Sequence, residues 1–139
     1  MRPPDLRQHI QNLAEDHAYW MLDAMGYTVY TVGRNEHFDL IVNGVLRVKV
    51  KGATYTAHRC SPGRWQFNTR NHPDVYILRC LGIWGEDFVI PGHAIGERTN
   101  IAIWSRDPTK SHGQWAKYCN RWDVIETELE RKKNRENHD

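Results

Sequence analysis

The sequence predicts an α/β (α+β) domain in which a β-rich middle is flanked by an N-terminal and a C-terminal helix. Three observations carry this. Apolar residues recur at helical spacing from Leu6 to Met25 and again from Trp115 to Leu129. Residues 45–52, VLRVKVKG, alternate strictly between apolar and cationic, as a half-buried strand does. The pair Asn43-Gly44 stands between two alternating runs, which is a strong hairpin signal. A chain of 139 residues fits a single domain, 1–139, able to bury a core without metal or disulfide staples.

The elements follow in order. Asp5, after two prolines, is a good N-cap for a helix carrying Leu6, Ile10, Leu13, Ala14, Met21 and Ala24 and ending near Gly26. Residues 27–32, YTVYTV, and 37–42, HFDLIV, read as strands, then 45–52. Residues 53–63 form an extended excursion closing on a Pro-Gly turn. Further strands are expected at 64–68, 74–82, 87–91 and 100–105, with Trp65 and Phe67 facing the core. A polar loop, SRDPTKSHG, leads to a final helix from about Gly113, with Trp115, Tyr118, Trp122, Ile125 and Leu129 as its apolar stripe. Residues 126–139 are dense in mixed charge and read as a solvated helical tail.

The register of the central hairpin can be argued from charge. A two-residue turn at Asn43-Gly44 pairs residues whose numbers sum to 87, placing Phe38 opposite Lys49 and Leu40 opposite Arg47. Cross-strand partners share a face, so that register mixes core with charge. Pairing at a sum of 88 sets Leu40 against Val48, Val42 against Leu46 and Asp39 against Lys49. The second register is consistent on both faces. It predicts a three-residue loop or a bulge, with Asp39, Lys49 and Lys51 on one surface.

Hydrophobic content of 40% argues for a folded globule, and no apolar run approaches the roughly 18 residues of a membrane span. The first residues, MRPPDLRQHI, lack the apolar stretch of a secretory signal, so an intracellular protein is expected. Three widely spaced cysteines make a poor disulfide framework. His58, Cys60 and His72 offer too few ligands for the four that structural zinc takes, so reduced, mostly buried thiols are expected. A net charge of +2 says little, but its distribution is uneven. Residues 1–44 hold three Lys/Arg against six Asp/Glu, and residues 45–80 hold seven against one. A basic middle beside an acidic first third suits a phosphate-binding cleft with carboxylate metal ligands, and equally a solvated basic loop.

Glu15 on the first helix, Asp39 early in the second strand and Lys49-Val50-Lys51 in the third form the unit with chemical content. Phosphodiester hydrolysis needs an activated water and charge on the phosphoryl oxygens. Carboxylates holding a divalent cation, beside an ammonium, can supply both. Each residue also has an ordinary use. Asp39 can pair across the hairpin with Lys49, Lys51 and Arg47 can be charges on a solvated sheet face, and Glu15 can pair along its helix.

A helix with Glu15, then FDLIVNG (38–44), then a strand ending Val50-Lys51-Gly52-Ala53 resembles the PD-(D/E)XK, or restriction-endonuclease-like, nuclease superfamily. In size and order it is similar to small homing endonucleases and Holliday-junction resolvases. The resemblance covers residues 5–53 and continues loosely through DVYILRC (74–80) and residues 105–125. It implies a central mixed β-sheet flanked by the two terminal helices, Mg²⁺ (or Mn²⁺) as cofactor, and DNA hydrolysis of homing, resolving or restriction type. It implies Asp39 as a metal ligand, the Val50 carbonyl facing the metal, and Glu15 acting on the metal directly or through water. Lys51 would stand near the attacking water. Cutting both strands of a duplex implies a homodimer or homotetramer, with the aromatic-rich final helix a place to look for its interface.

Lys49 departs from the family pattern, which has an acid or glutamine there. An ammonium cannot ligate a cation and repels one in the same pocket. Three readings stay open. A carboxylate from Glu15, Asp16 or Glu36 replaces the missing ligand; or Lys49 itself neutralises phosphate beside one weakly held cation; or the site is silent and the chain is a DNA-binding relative. Arg47, Arg59, Arg64, Arg70 and His72 are the candidates for DNA backbone contacts. RNA processing shares the same chemistry, whereas a helix-turn-helix regulator does not fit a strand-dominated middle.

Overall fold

Helix α1 (Pro3–Ala24) begins before the expected N-cap at Asp5, on the prolines that favour a helical first turn. It stops where Gly26 turns to a φ of 91°, with Gly26 N–H donating to Asp23 and Tyr27 N–H to Leu22. The computed structural model describes residues 3–33, 37–57, 63–82, 85–111 and 113–138. Strands β1 (Val29–Thr31), β2 (Leu40–Val42), β3 (Leu46–Thr54), β4 (Arg64–Asn68), β5 (Val75–Leu81) and β6 (Glu86–Pro91) follow, then a one-turn helix α2 (Gly92–Ile95) and β7 (Asn100–Trp104). Two short 3₁₀ turns lead to the final helix α3 (Asp123–His138).

Five strands form a central mixed sheet in the order β1-β2-β3-β5-β6, with β3 and β5 parallel and the other neighbours antiparallel. Strands β4 and β7 form a separate antiparallel ribbon. Alternation along the central strands divides the core in two. Leu46, Val48, Val50, Val75, Ile77 and Val89 face α1 and α3 through Ala14, Ala18, Leu22 and Ile125. Tyr76, Leu78, Cys80, Phe88 and Ile90 face the ribbon through Trp65, Phe67, Ile101 and Ile103. Trp65 and Phe67 are thus core residues, as their alternation predicts.

The hairpin takes the register summing to 88, with Leu40 opposite Val48 and Val42 opposite Leu46. Its loop has three residues, Asn43, Gly44 and Val45, the first two at φ of 52° and 76°. β1 and β2 are shorter than the alternation suggested, and Asp39 stands one residue before β2.

Helix α1 is held against the sheet by close approach and by charge. Gly52 faces the Ala14 Cβ and the Ile10 carbonyl, so an added Cβ would lie only 3.0 and 3.1 Å from them. Farther along, His17 Nε2 lies 2.8 Å from Asp87 Oδ2, which also accepts from Arg79 at 2.9 Å. Burial pushes the Asp87 carboxyl up, against the opposing pull of Arg79 and His17.

The final helix differs from its expectation. It begins at Asp123, not near Gly113, because Gly113 and Asn120 adopt φ of 95° and 53°, which no helix continues. Trp115 enters the ribbon-side core while Trp122 packs into the α1 side, so the two are not one stripe. No aromatic residue lies in α3 itself, and the idea of an aromatic-rich helical interface falls with that. The solvated stretch also begins later than residue 126. Ile125 and Glu128 are buried, and Lys132 donates to the Val45 carbonyl and to Asp74, each at 2.6 Å. Beyond Lys132, residues 133–136 are exposed.

Of the cysteines, Cys80 and Cys119 are free thiols, and Cys60 lies outside the described residues. Among the described residues, no helix is long and apolar enough to cross a membrane.

Candidate functional site

The site forms where β2 stops pairing with β3. Past Asp39, whose N–H still donates to the Val48 carbonyl at 2.8 Å, the edge of β3 lacks its strand partner, and side chains take over the backbone bonds. Asp39 Oδ2 accepts the Val50 N–H at 2.7 Å, and Gln11 of α1 donates its amide to the Val50 carbonyl at 2.6 Å. Both backbone groups of Val50 are thus satisfied, as buried backbone requires. The same Gln11 nitrogen lies 3.0 Å from Glu15 Oε1, one helical turn on.

Asp39 is also the acceptor for Lys49, whose Nζ stands 3.2 Å from Oδ1, with each side chain 13% exposed. Asp39, Lys49 and Lys51 share one surface, as the register argument required. Burial raises the Glu15 carboxyl above its ordinary range, and the charge of Asp39 adds to the rise; Gln11 and Lys49 pull it down. Burial likewise lowers the Lys51 ammonium, helped by Lys49 and opposed by Asp39. These groups are close enough to sense one another's charge. A cleft of about 260 Å³ opens beside them, lined by Glu15, Asp16, Tyr19, Thr31, Val32, Asp39 and Leu40.

Two adjacent carboxylates and a backbone carbonyl are a hard-oxygen set of the kind Mg²⁺ takes. The Glu15 carboxyl is raised chiefly by burial, and the neighbouring Asp39 charge adds to the rise. Glu15, Asp39 and the Val50 carbonyl are the groups that could hold a divalent cation, with Asp16 lining the same cleft as the two carboxylates. Lys49 competes for the place of that cation on Asp39. Among the described residues no cluster of three His, Cys, Asp or Glu meets metal-site spacing.

Of the expected DNA contacts, Arg47 shares the Lys49 face, half exposed, 6.0 Å from the Phe38 ring centre and 3.5 Å from Asp74. Arg64 lies on the ribbon, its guanidinium 5.0 Å from the Trp104 ring centre. Arg70 and His72 are exposed in the loop between β4 and β5, His72 at a φ of 53°. Glu36, His58, Arg59 and Cys60 lie outside the described residues. Gln11 is the residue that sequence reading missed. Its spacing of four from Glu15 on one helix face was the available signal.

No protein-family model matches the chain, and no curated protein does. Among solved structures, the fold is similar to that of a bacterial homing endonuclease, I-Ssp6803I, with a TM-score of 0.71 over 90% of this chain and 95% of the other. Sequence identity is 17%, so the likeness is one of fold.

Proposed function

We propose that this chain is a Mg²⁺-dependent DNA endonuclease of PD-(D/E)XK type, acting as a homodimer or homotetramer. The observation that carries this is the convergence of Asp39, Glu15, Lys51 and the Val50 carbonyl at the open edge of β3. The homing endonuclease fold and the basic stretch 45–80 support the same reading. Glu15, Asp39 and the Val50 carbonyl would hold the cation, which supplies a more acidic bound water and screens the phosphate. Gln11 orients the Val50 carbonyl and Glu15 together. Lys51, whose ammonium burial makes more acidic, would exchange a proton near the attacked phosphate. Arg47 and Lys49 add positive charge for the phosphate backbone.

The Lys49–Asp39 ion pair favours a second reading, a DNA-binding relative that does not cut. Incubation of supercoiled plasmid and branched DNA with Mg²⁺ or Mn²⁺ separates the two. Cleavage by this chain but not by Asp39→Ala supports the working nuclease. Cleavage only after Lys49→Glu supports the silent relative. Absence of cleavage and of DNA binding in all three overturns both.

A further inference from the structure

The ribbon has a second face, and its composition is unusual for a solvated strand surface. Pairing of Arg64 with Trp104, Gln66 with Ala102 and Asn68 with Asn100 places these six side chains outward, opposite the buried Trp65, Phe67, Ile101 and Ile103. Three of the six are side-chain amides, one is a guanidinium, and none is a carboxylate. Asparagine is among the residues strands avoid, yet Asn68 and Asn100 stand opposite each other, both exposed. Asn68 closes β4 and Asn100 opens β7, so the two amides stand together at one end of the ribbon.

The amides are also held in place. Gln66 donates to Asn100 at 3.2 Å, and Asn68 accepts the Arg70 N–H at 3.1 Å. Each bond leaves further donor or acceptor capacity on the amide. Arg64 is fixed over Trp104 at one end, and the exposed Arg70 follows Asn68 at the other.

We propose that this outward face of the β4–β7 ribbon enters the DNA major groove, where Gln66, Asn68, Asn100 and Arg64 read base edges. The inference rests on the nuclease reading above and supplies its sequence specificity. Dimensions agree. Two strands lie about 4.8 Å apart, and with side chains they fit a groove roughly 12 Å wide. Chemistry agrees as well, since Asn and Gln pair bidentately with adenine and Arg with guanine. The ribbon follows directly from the site strand, because Thr56, just beyond the end of β3, bridges to Arg64. A-form RNA has a major groove too narrow for such a ribbon, which selects duplex DNA as the partner.

The test is selection of duplexes from a random DNA library by the full chain, in EDTA so that nothing is cut, followed by affinity measurement on the enriched and a scrambled duplex. The chain is expected to enrich defined bases. Gln66→Ala, Asn68→Ala and Asn100→Ala should each erase preference at a position and lower the enriched-to-scrambled affinity ratio about tenfold. Gln66→Glu, close in shape, should move the preferred base at its position from adenine to cytosine. Unchanged preferences in all four variants would overturn the inference. So would tight duplex binding without any preference, and in that case the nuclease reading stands alone. Equal preference for the same sequence as RNA overturns the groove assignment, and loss of all nucleic-acid binding removes both readings.

Discussion

Lys49 Nζ lies 3.2 Å from Asp39 Oδ1 while the other oxygen of that carboxylate accepts the Val50 N–H at 2.7 Å. Asp39 is therefore both a structural acceptor and the first candidate metal ligand. Its two roles separate by substitution. Asp39→Ala strands the Val50 N–H and should cost about 1–3 kcal/mol of stability. Asp39→Asn keeps an acceptor and should cost less. Both should abolish metal-dependent cleavage, so denaturation and plasmid nicking run side by side on the two variants. Equal destabilisation by the two would show that the Val50 bond is not what Asp39 contributes.

Gln11 joins Glu15 to the Val50 carbonyl. Gln11→Ala should lower stability by about 1 kcal/mol. It should also raise the Mg²⁺ concentration needed for half-maximal cleavage, since two of the oxygen donors lose their common restraint. Metal titration of the cleavage rate checks this, and an unchanged midpoint would remove Gln11 from the site.

Gly52→Ala would press a methyl group on Ala14 and on the Ile10 carbonyl at 3.0 and 3.1 Å. The helix must then lift from β3, at a cost of about 1–3 kcal/mol. Gln11 rides on that helix, so cleavage should fall more than unfolding alone explains. Comparing activity well below the melting transition with the denaturation midpoint tests the coupling.

Asp74 makes the Lys132 contact of α3 depend on pH. Burial alone would raise its carboxyl, but Lys132, the Arg47 N–H and the Arg47 charge outweigh it, and the net result is below the ordinary 3.8. A depressed folded-state value gives stability that is present above 3.8 and lost as pH falls through the folded value. Lys132→Met should therefore cost about 1 kcal/mol near pH 7 and much less near pH 2. Urea midpoints at both pH values would reveal the narrowing gap, and a constant gap would assign the effect to packing.

The hairpin was legible because a one-residue slip would bury cations, so charge and hydrophobicity together admitted one register. That register puts Asp39, Lys49 and Lys51 on one surface from the sequence alone. Helix α3 was misread because Trp115, Tyr118 and Trp122 mimic helical spacing while two of them enter opposite cores. Only the backbone at Gly113 and Asn120 shows the interruption. The one-turn α2 is too short to leave a periodic signal. Gln11 was missed because an amide carries no charge pattern, and its role depends on where β2 ends.

The early end of β2 has a consequence for how copies of this chain meet one another. An unpaired strand edge is a template for another chain to add to, and proteins guard such edges against aggregation. Here the guard is Asp39 and Gln11, which cap the N–H and the carbonyl of Val50 from the side. An incoming strand would have to displace a carboxylate and an amide before its first bond could form. The groups proposed for chemistry thus also block strand addition at this stretch of β3.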